Sequence, residues 1–365
     1  MSDPLETLEG HLSNTPSVSR RQYPIAGILT TVYGLNELSS PTSEIACLWL
    51  LHPRLGSQEA MSQLATLAIT DWNKKILQGQ AGPKAKGLIA VSFDQRNHGT
   101  RIVDPVANEA WRSGNPRHAQ DMFSIFQGTA RDVSLLIDYL PAFVFPESEK
   151  RITEHLVLGV SLGAYAAWSC ILHEPRVSAG ITIIGCPDYV NIMADRARLS
   201  KLASWKGSEP EGSQFLGSKD FPFTLLETVR RLDPASLFLS YTGPESEVII
   251  SRPNPLPEPT PEQQEILRPV LSRCLARKKI LNIAGGADKL VPYRCGEAFL
   301  AWLKKAVGPD GWFKDGAVTL EDVIDPTARH EVTPKMADEA IQFVSRVLLT
   351  SNTTQKTGFV RHCKI

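Results

Sequence analysis

The sequence has no excess of charge of either sign and no long apolar run. Lysine plus arginine and aspartate plus glutamate each number 39 among 365 residues, so the formal net charge is zero. A balanced charge gives the protein no overall attraction to nucleic acid or anionic lipid. No run reaches the roughly 18 apolar residues that a membrane-spanning helix needs, and the N-terminus lacks the apolar core of a signal peptide. We expect a soluble protein with a small-molecule partner, no nucleic-acid partner and no membrane span.

Cysteine is scarce, and the motifs of metal and nucleotide chemistry are missing. The six cysteines form neither a CxxC pair nor a Cys/His ligand spacing, and several lie in apolar runs, which favours a reducing compartment. The chain contains no HExxH, no EF-hand loop, no phosphate-binding GxxxxGK motif and no GxGxxG turn. We therefore expect that the protein needs no cofactor and no metal.

The chain does contain an alternation of apolar strands and amphipathic helices. The hydrophobic fraction of 42% is enough for a large core, and the length fits one large domain with an insertion, or two smaller domains. Alternation of this kind is typical of a mainly parallel sheet. Five apolar runs predict strands buried on both faces: 45–51, 87–93, 155–160, 179–185 and 279–285. Helical spacing covers 57–77, 129–140 and 162–172.

The strand pattern is interrupted once, between Pro187 and Arg277. This stretch has helix-like parts such as 224–232, and its run RPNPLPEPTPEQQ (252–264) favours an extended connector. We predict that it is a cap inserted over the sheet. The predicted division is an N-terminal extension (1–24), a first core part (25–186), the cap (187–277), a second core part (278–350) and a flexible tail (351–365).

A serine stands between two glycines in Gly159-Val160-Ser161-Leu162-Gly163, where a predicted strand meets a predicted helix. The glycines allow a tight turn that lifts the serine hydroxyl clear of the sheet. Such a pattern also occurs by chance, and the serine is then only a small residue at a buried turn. The strand-turn-helix setting favours a nucleophile.

A serine nucleophile needs a base and a group that orients the base. Asp288 follows the predicted strand 279–285, at the edge where open α/β sheets build their sites. His330 follows the last predicted strand, 316–325. The order Ser161, Asp288, His330 is the order found in hydrolases with a serine elbow.

Each of these partners has an alternative interpretation. Asp188 also follows a strand and is a rival for the orienting acid. Asp288 has a second interpretation as the cap of a helix starting near Pro292. Seven other histidines compete with His330, but His330 follows the last predicted strand.

Three motifs make the chain resemble the α/β-hydrolase superfamily from about residue 25 to 350. They are the elbow GVSLG (159–163), the acid turn GGADKLVP (285–292) and the histidine loop ARHEV (328–332). LWLLHPRLGS (48–57) is similar to the His-Gly oxyanion loop of that family, and FDQRNHG (93–99) to its Asp-x-Arg-Gly-His-Gly turn. The sequence as a whole resembles little-characterised fungal α/β hydrolases, some of them associated with secondary metabolism. The resemblance implies an α/β fold with a mainly parallel, doubly wound sheet and an inserted cap.

The oxyanion loop departs from the family pattern. Pro53 replaces the glycine after the histidine and has no N–H to donate. We expect Leu162 to supply one donor through the elbow geometry and Arg54 to supply the second. His52 is predicted to hold the loop through a hydrogen bond and not to touch the substrate.

Two further stretches have predicted roles. In 93–99, Asn97 replaces a family glycine, and we interpret the turn as a scaffold in which Arg96 and Asp94 pair locally. Residues 108–128 either line an acyl pocket beside the elbow, with Trp111, His118, Met122, Phe123 and Phe126, or pack as an ordinary core helix. The candidate walls from the cap are Ile192, Met193, Leu199, Leu202, Trp205, Phe215, Phe221 and Phe223.

These motifs predict a serine hydrolase, esterase or thioesterase-like, that cleaves a carboxylic ester, thioester or lactone of a small molecule through a Ser161 acyl-enzyme. The altered oxyanion loop favours an alternative, a non-hydrolytic protein of the same fold that binds or rearranges a small ligand. The C-terminal Cys363-Lys364-Ile365 follows the small-basic-aliphatic pattern of a peroxisomal signal. We therefore expect a cytoplasmic or peroxisomal protein.

Overall fold

A computed structural model describes residues 3–8, 17–39, 42–242 and 252–354. Residues 355–365 of the predicted tail lie outside this range, and so does the Cys363-Lys364-Ile365 signal, which stays a prediction. Within the described residues, no helix is long and apolar enough to cross a bilayer.

The described residues form one eight-stranded sheet in the order β1-β2-β4-β3-β5-β6-β7-β8. Strand β1 pairs antiparallel with β2, and β2 antiparallel with β4, whereas the remaining strands run parallel. The predicted mainly parallel sheet is confirmed. The strands are β1 (Arg20–Ile25), β2 (Ile28–Tyr33), β3 (Glu44–Leu51), β4 (Gly87–Phe93), β5 (Arg151–Val160), β6 (Val177–Ile183), β7 (Lys279–Gly285) and β8 (Thr319–Asp325).

Strand β3 is apolar from Ile45 to Leu51 because both of its faces are buried. Successive side chains of a strand point to opposite faces, and in a doubly wound sheet both faces are covered by helices. Alternate residues of β3 therefore belong to two separate hydrophobic clusters, with Ile45, Cys47, Trp49 and Leu51 on one face and Ala46, Leu48 and Leu50 on the other.

Ten α-helices occur in the described residues. They are α1 (Ser62–Leu77), α2 (His118–Val144), α3 (Leu162–His173), α4 (Tyr189–Ser200), α5 (Ala203–Lys206), α6 (Phe223–Leu232), α7 (Pro234–Leu239), α8 (Pro261–Leu275), α9 (Arg294–Val307) and α10 (Pro334–Thr354). Helices α1 and α10 cover one face of the sheet, while α2, α3 and α9 contribute to the cluster on the other. The predicted doubly wound arrangement is confirmed.

Helix α2 is longer than its sequence pattern indicates. The predicted helix 129–140 is its C-terminal part, and α2 begins eleven residues earlier, at His118. Gly128, a weak helix former, lies inside α2, and a Cβ there would lie 2.4 Å from Cδ of Arg96. The glycine thus admits the Arg96 side chain against the helix instead of ending the helix.

The N-terminal region differs from the predicted extension. Strand β1 begins at Arg20, inside the predicted extension 1–24, although its RRQYPI sequence is mostly exposed. Leu5 and Leu8 are buried against the same cluster as α10. The Val332 N–H donates to Pro4 O at 2.8 Å, and the Thr7 hydroxyl donates to Val332 O at 2.5 Å. Residues 3–8 therefore brace the segment that follows His330.

The inserted region between β6 and β7 is helical where it is described. It contains α4 to α8, and residues 243–251 lie outside the described residues. The proline-rich run is irregular from 252 to 260, as predicted, but α8 begins at Pro261. A capping box starts this helix: Thr260 Oγ1 accepts from the Gln263 N–H, and the Gln263 side chain accepts from the Thr260 N–H.

Candidate active site

The Ser161 backbone forms a sharp turn between β5 and α3, with φ of +54° and ψ of −112°. A non-glycine residue adopts such angles only where its surroundings enforce them. A Cβ on Gly159 would lie 2.0 Å from Gly163 O, and a Cβ on Gly163 would lie 2.0 Å from Leu51 O. Both flanking glycines are therefore required by the close approach of backbone segments at this turn.

Ser161, His330 and Asp288 form a continuous hydrogen-bonded chain. The Ser161 Oγ lies 2.9 Å from His330 Nε2, and His330 Nδ1 lies 2.7 Å from Asp288 Oδ2. An ionised carboxylate only accepts, so Nδ1 carries the proton and Nε2 is left to accept from the serine hydroxyl. The structure thus brings together the three residues expected to act as nucleophile, base and orienting acid.

The Asp288 carboxylate is held by its own loop as well as by His330. Its Oδ1 accepts from the N–H groups of Leu290 and Val291, at 2.8 and 2.9 Å. Burial raises the pKa of this carboxyl, but the hydrogen bond and charge of His330 and the two amide donors outweigh it, so the pKa lies below its ordinary value. Asp288 is therefore a fixed anion beside the imidazole, and it does not cap a helix near Pro292.

The acid turn and the histidine loop are joined through their backbones. The Gly286 N–H donates to Asp325 O at 2.8 Å, and the Ala287 N–H donates to Ala328 O at 3.0 Å. A Cβ on Gly285 would lie 2.6 Å from Ala328 O, so the approach requires glycine. These contacts fix the position of His330 relative to Asp288.

Asp188, the rival acid, has other partners. Its side chain accepts from the Asn191 N–H at 3.1 Å and caps α4. It also pairs with the Arg252 guanidinium. Asp188 therefore anchors the start of the inserted region and does not orient His330.

The His52 ring is a structural hydrogen-bond bridge. Its Nδ1 lies 2.8 Å from Pro53 O, and its Nε2 accepts from the Gln95 N–H at 2.9 Å. Burial lowers the pKa of His52 to about 4, so the ring is neutral at physiological pH. The predicted loop-holding role of His52 is confirmed.

Leu162 and Arg54 both line the cavity that contains Ser161. Leu162 is the first residue of α3, so its N–H has no acceptor within the helix. The Arg54 guanidinium donates to Asn108 O at 3.0 Å. That Leu162 and Arg54 act as the two oxyanion donors stays a prediction.

The turn at 93–99 is a scaffold, but the predicted pairing of Arg96 with Asp94 is wrong. Asp94 instead accepts from the N–H and hydroxyl of Thr100, at 2.8 and 2.7 Å, and from the Gln58 N–H at 2.8 Å. Arg96 reaches across to Asp132 on α2, with two contacts of 3.1 and 2.9 Å. Asp94 therefore connects the turn to Gln58, and Arg96 connects it to α2.

The cavity at Ser161 is partly open to solvent. Met122 and Phe126 of α2 line it, whereas Trp111, His118 and Phe123 of the same predicted stretch do not. From the inserted region, only Met193 among the eight predicted wall residues lines it. Among the described residues, the lining consists of Pro4, Pro53, Arg54, Met122, Phe126, Ser161, Leu162, Tyr165, Tyr189, Met193, Arg196, Leu290 and His330.

Most of the other residues predicted to form the cap wall do not line the cavity and lie elsewhere in the fold. Ile192, Phe215 and Phe221 are fully buried in the hydrophobic core, and the Phe223 side chain is 62% exposed. The residues that do line the cavity, Tyr189, Met193 and Arg196, lie four and three positions apart on α4 and form one helical stripe. The helical register that places these three residues on one face can be assigned once Asp188 is known to start α4.

The strand order and the serine turn together decide the fold. The chain has the α/β-hydrolase fold. Within the described residues, no cluster of three or more histidine, cysteine, aspartate or glutamate side chains is arranged to hold a metal ion.

Comparison with protein-family models and with curated proteins found no match. Among solved structures, TT1662 from Thermus thermophilus aligns over 91% of this chain and 98% of its own, with 17% identity and a TM-score of 0.49. The Pyrococcus furiosus esterase Pf2001 aligns over 92% of both chains, with 11% identity and a TM-score of 0.44. Mouse alpha/beta hydrolase domain-containing protein 10 aligns over 91% and 99%, with 13% identity and a TM-score of 0.45. Such similarity carries no argument about substrate.

Proposed function

We propose that the protein is a serine hydrolase that cleaves a carboxylic ester, thioester or lactone of a small molecule. The observation that carries this proposal is the hydrogen-bonded chain from Ser161 Oγ through His330 to Asp288. A serine hydroxyl becomes a useful nucleophile when a base accepts its proton and a carboxylate steadies the resulting imidazolium.

In the acylation step, Ser161 Oγ bonds to the substrate carbonyl carbon while its proton passes to His330 Nε2. The Leu162 N–H, with Arg54 as the second donor, stabilises the negative charge that develops on the carbonyl oxygen. The bond to the leaving group then breaks, and His330 gives the proton to the departing oxygen or sulfur. A water molecule releases the acyl group by the same sequence, which restores the Ser161 hydroxyl.

The test compares two carboxylates that follow neighbouring strands. We expect Asp288→Asn to lower kcat for a short-chain ester by about 10³- to 10⁴-fold, because the neutral amide no longer holds the imidazole in its productive tautomer. Asp188→Asn should lower kcat by less than about tenfold, because Asp188 caps α4. Initial rates on p-nitrophenyl butyrate, with circular dichroism to check folding, measure both.

Two results would count against the proposal. A larger loss of kcat in Asp188→Asn than in Asp288→Asn would assign the orienting role to Asp188. A correctly folded wild-type protein that cleaves no member of an ester, thioester and lactone panel would favour the non-hydrolytic alternative.

A further inference from the structure

The cavity beside Ser161 contains a cationic group that has no acidic partner among the described residues. Arg196 of α4 lines it together with Ser161 and His330. Other arginines around α4 pair with a carboxylate: Arg198 and Arg294 both bond to Asp195, each at 2.8 Å. Among the described residues, no carboxylate forms a salt bridge with Arg196. Its charge is therefore available to a ligand.

A neutral histidine holds the Arg196 guanidinium in position. His118 Nδ1 lies 2.8 Å from the Glu109 carbonyl oxygen and donates to it, which leaves Nε2 as an acceptor. Arg196 Nη1 lies 3.3 Å from that nitrogen. Burial, with the charges of Arg196 and Arg54, holds the pKa of His118 well below its ordinary value. His118 thus orients the guanidinium without neutralising it.

A buried hydroxyl in the same cavity also has no hydrogen-bond partner in the part of the chain that the structure describes. Tyr165 is 6% exposed and lines the cavity, and its hydroxyl makes no hydrogen bond within the described part of the chain. Burial raises the pKa of Tyr165 well above its ordinary value, so the phenol is a neutral donor. A buried donor without an acceptor is unfavourable, and a ligand that supplies an acceptor relieves this cost.

We propose that Arg196 and the Tyr165 hydroxyl bind a carboxylate of the substrate, so that the enzyme prefers esters that also carry a free carboxylate. The carboxylate oxygens accept from both groups, and a guanidinium matches them with two parallel N–H donors. The apolar side chains of Met122, Phe126 and Met193 then contact the hydrocarbon between carboxylate and ester. This inference rests on the proposed hydrolase function, because it names the substrate class of that site.

Binding is tested without hydrolysis in the Ser161→Ala background. The probes are N-butylsuccinamic acid and N-butylbutanamide, which differ only by a carboxylate in place of a methyl group. We expect the acid to bind about 10- to 100-fold more tightly in an NMR titration, as a charge-assisted hydrogen-bonded pair implies. Adding Arg196→Met should reduce this ratio to about one to three, and Arg196→Lys should retain part of it.

Arg198→Met is the matched control, because it removes the same charge from the same helix at an exposed position that does not line the cavity. It should leave the binding ratio at its starting value. Equal binding of the two probes, or a preference for the acid that persists in Arg196→Met, would overturn the inference. Thermal unfolding of each variant verifies that Arg196→Met is folded.

Hydrolysis separates failure of this inference from failure of the proposed function. Monobutyl succinate and butyl butyrate release the same alcohol, and we expect the otherwise wild-type enzyme to favour the succinate by a similar factor in kcat/KM. Hydrolysis of both esters at equal kcat/KM would sink the inference and leave the function intact. Selective carboxylate binding with no hydrolysis of either ester would support the binding site and sink the function.

Discussion

Ser161 combines an unfavourable backbone conformation with a fixed side chain. Its positive φ is held by close packing on both sides, because Gly159 of β5 lies against the backbone of Gly163 in α3, and Gly163 lies against the backbone of Leu51 in β3. Because the turn is held from both sides, the Ser161 hydroxyl points toward His330 Nε2, which lies 2.9 Å away. Such backbone strain is typical of sites whose geometry is set before a ligand binds.

Asp288 and Asp188 show how one residue type takes two roles in the same fold. Both follow parallel strands, but Asp288 lies in a turn joined to the histidine loop, whereas Asp188 starts a helix. Their roles are set by the backbone hydrogen bonds that follow each strand. Sequence position alone leaves the two acids as alternatives.

At the scale of elements, residues 3–8 act as a brace for the histidine loop. Leu8 is fully buried beside α10, and the backbone of Val332 bonds to this segment. The N-terminal segment, far from Ser161 in sequence, therefore supports one wall of the site, and its Pro4 lines the cavity.

We expect Leu8→Ala to lower the free energy of unfolding by about 2–5 kcal/mol, because it removes buried methyl groups and leaves a void. Leu77→Ala is the control: its side chain is 87% exposed, and the change should stay within about 0.5 kcal/mol. Urea denaturation measures both. A loss for Leu8→Ala no larger than for Leu77→Ala would show that the N-terminal segment does not brace the core.

Sequence reasoning identified the five central strands, β3 to β7, because their apolar runs are buried on both faces of the sheet. Strand β1 was not predicted because its side chains are mostly exposed. Helix α8 was not predicted because its first turn lies in a proline-rich run, where the Thr260 capping box starts the helix. Ser161, Asp288 and His330 could be proposed because each follows a strand in a recognisable motif. Arg196 and Tyr165 could not, because only the packing of α3 and α4 brings them into one cavity.

At the scale of the whole molecule, buried histidines make stability depend on pH. Burial lowers the pKa values of His52 and His155 to about 4, while an unfolded histidine titrates near about 6.5. The unfolded chain therefore binds more protons, and stability is lost as pH falls from about 6.5 to about 4. Asp233 acts in the opposite direction: burial and the charge of Asp188 raise its pKa to about 7, so over this pH range its carboxyl is protonated in the folded chain and still ionised in the unfolded chain.

Two variants separate these contributions. His155→Gln keeps an acceptor for the Trp49 indole N–H and should make the loss of stability on acidification shallower. Asp233→Asn should make it steeper, because the compensating proton uptake disappears. The free energy of unfolding in urea at pH values from 7.5 to 4.5 gives the slopes, about 1.4 kcal/mol per pH unit for each proton. Slopes unchanged from wild type in both variants would contradict this assignment.

The most direct test of the central claim is covalent labelling by an alkyl fluorophosphonate, followed by intact-mass analysis and peptide mapping. An activated serine attacks the phosphorus, displaces fluoride and keeps the phosphonyl group, whereas an ordinary serine does not react. We predict one adduct per wild-type chain, located on Ser161, and none in Ser161→Ala. An adduct that forms at the same rate in Ser161→Ala, or a folded wild-type protein that gains no adduct, would contradict Ser161 as the nucleophile.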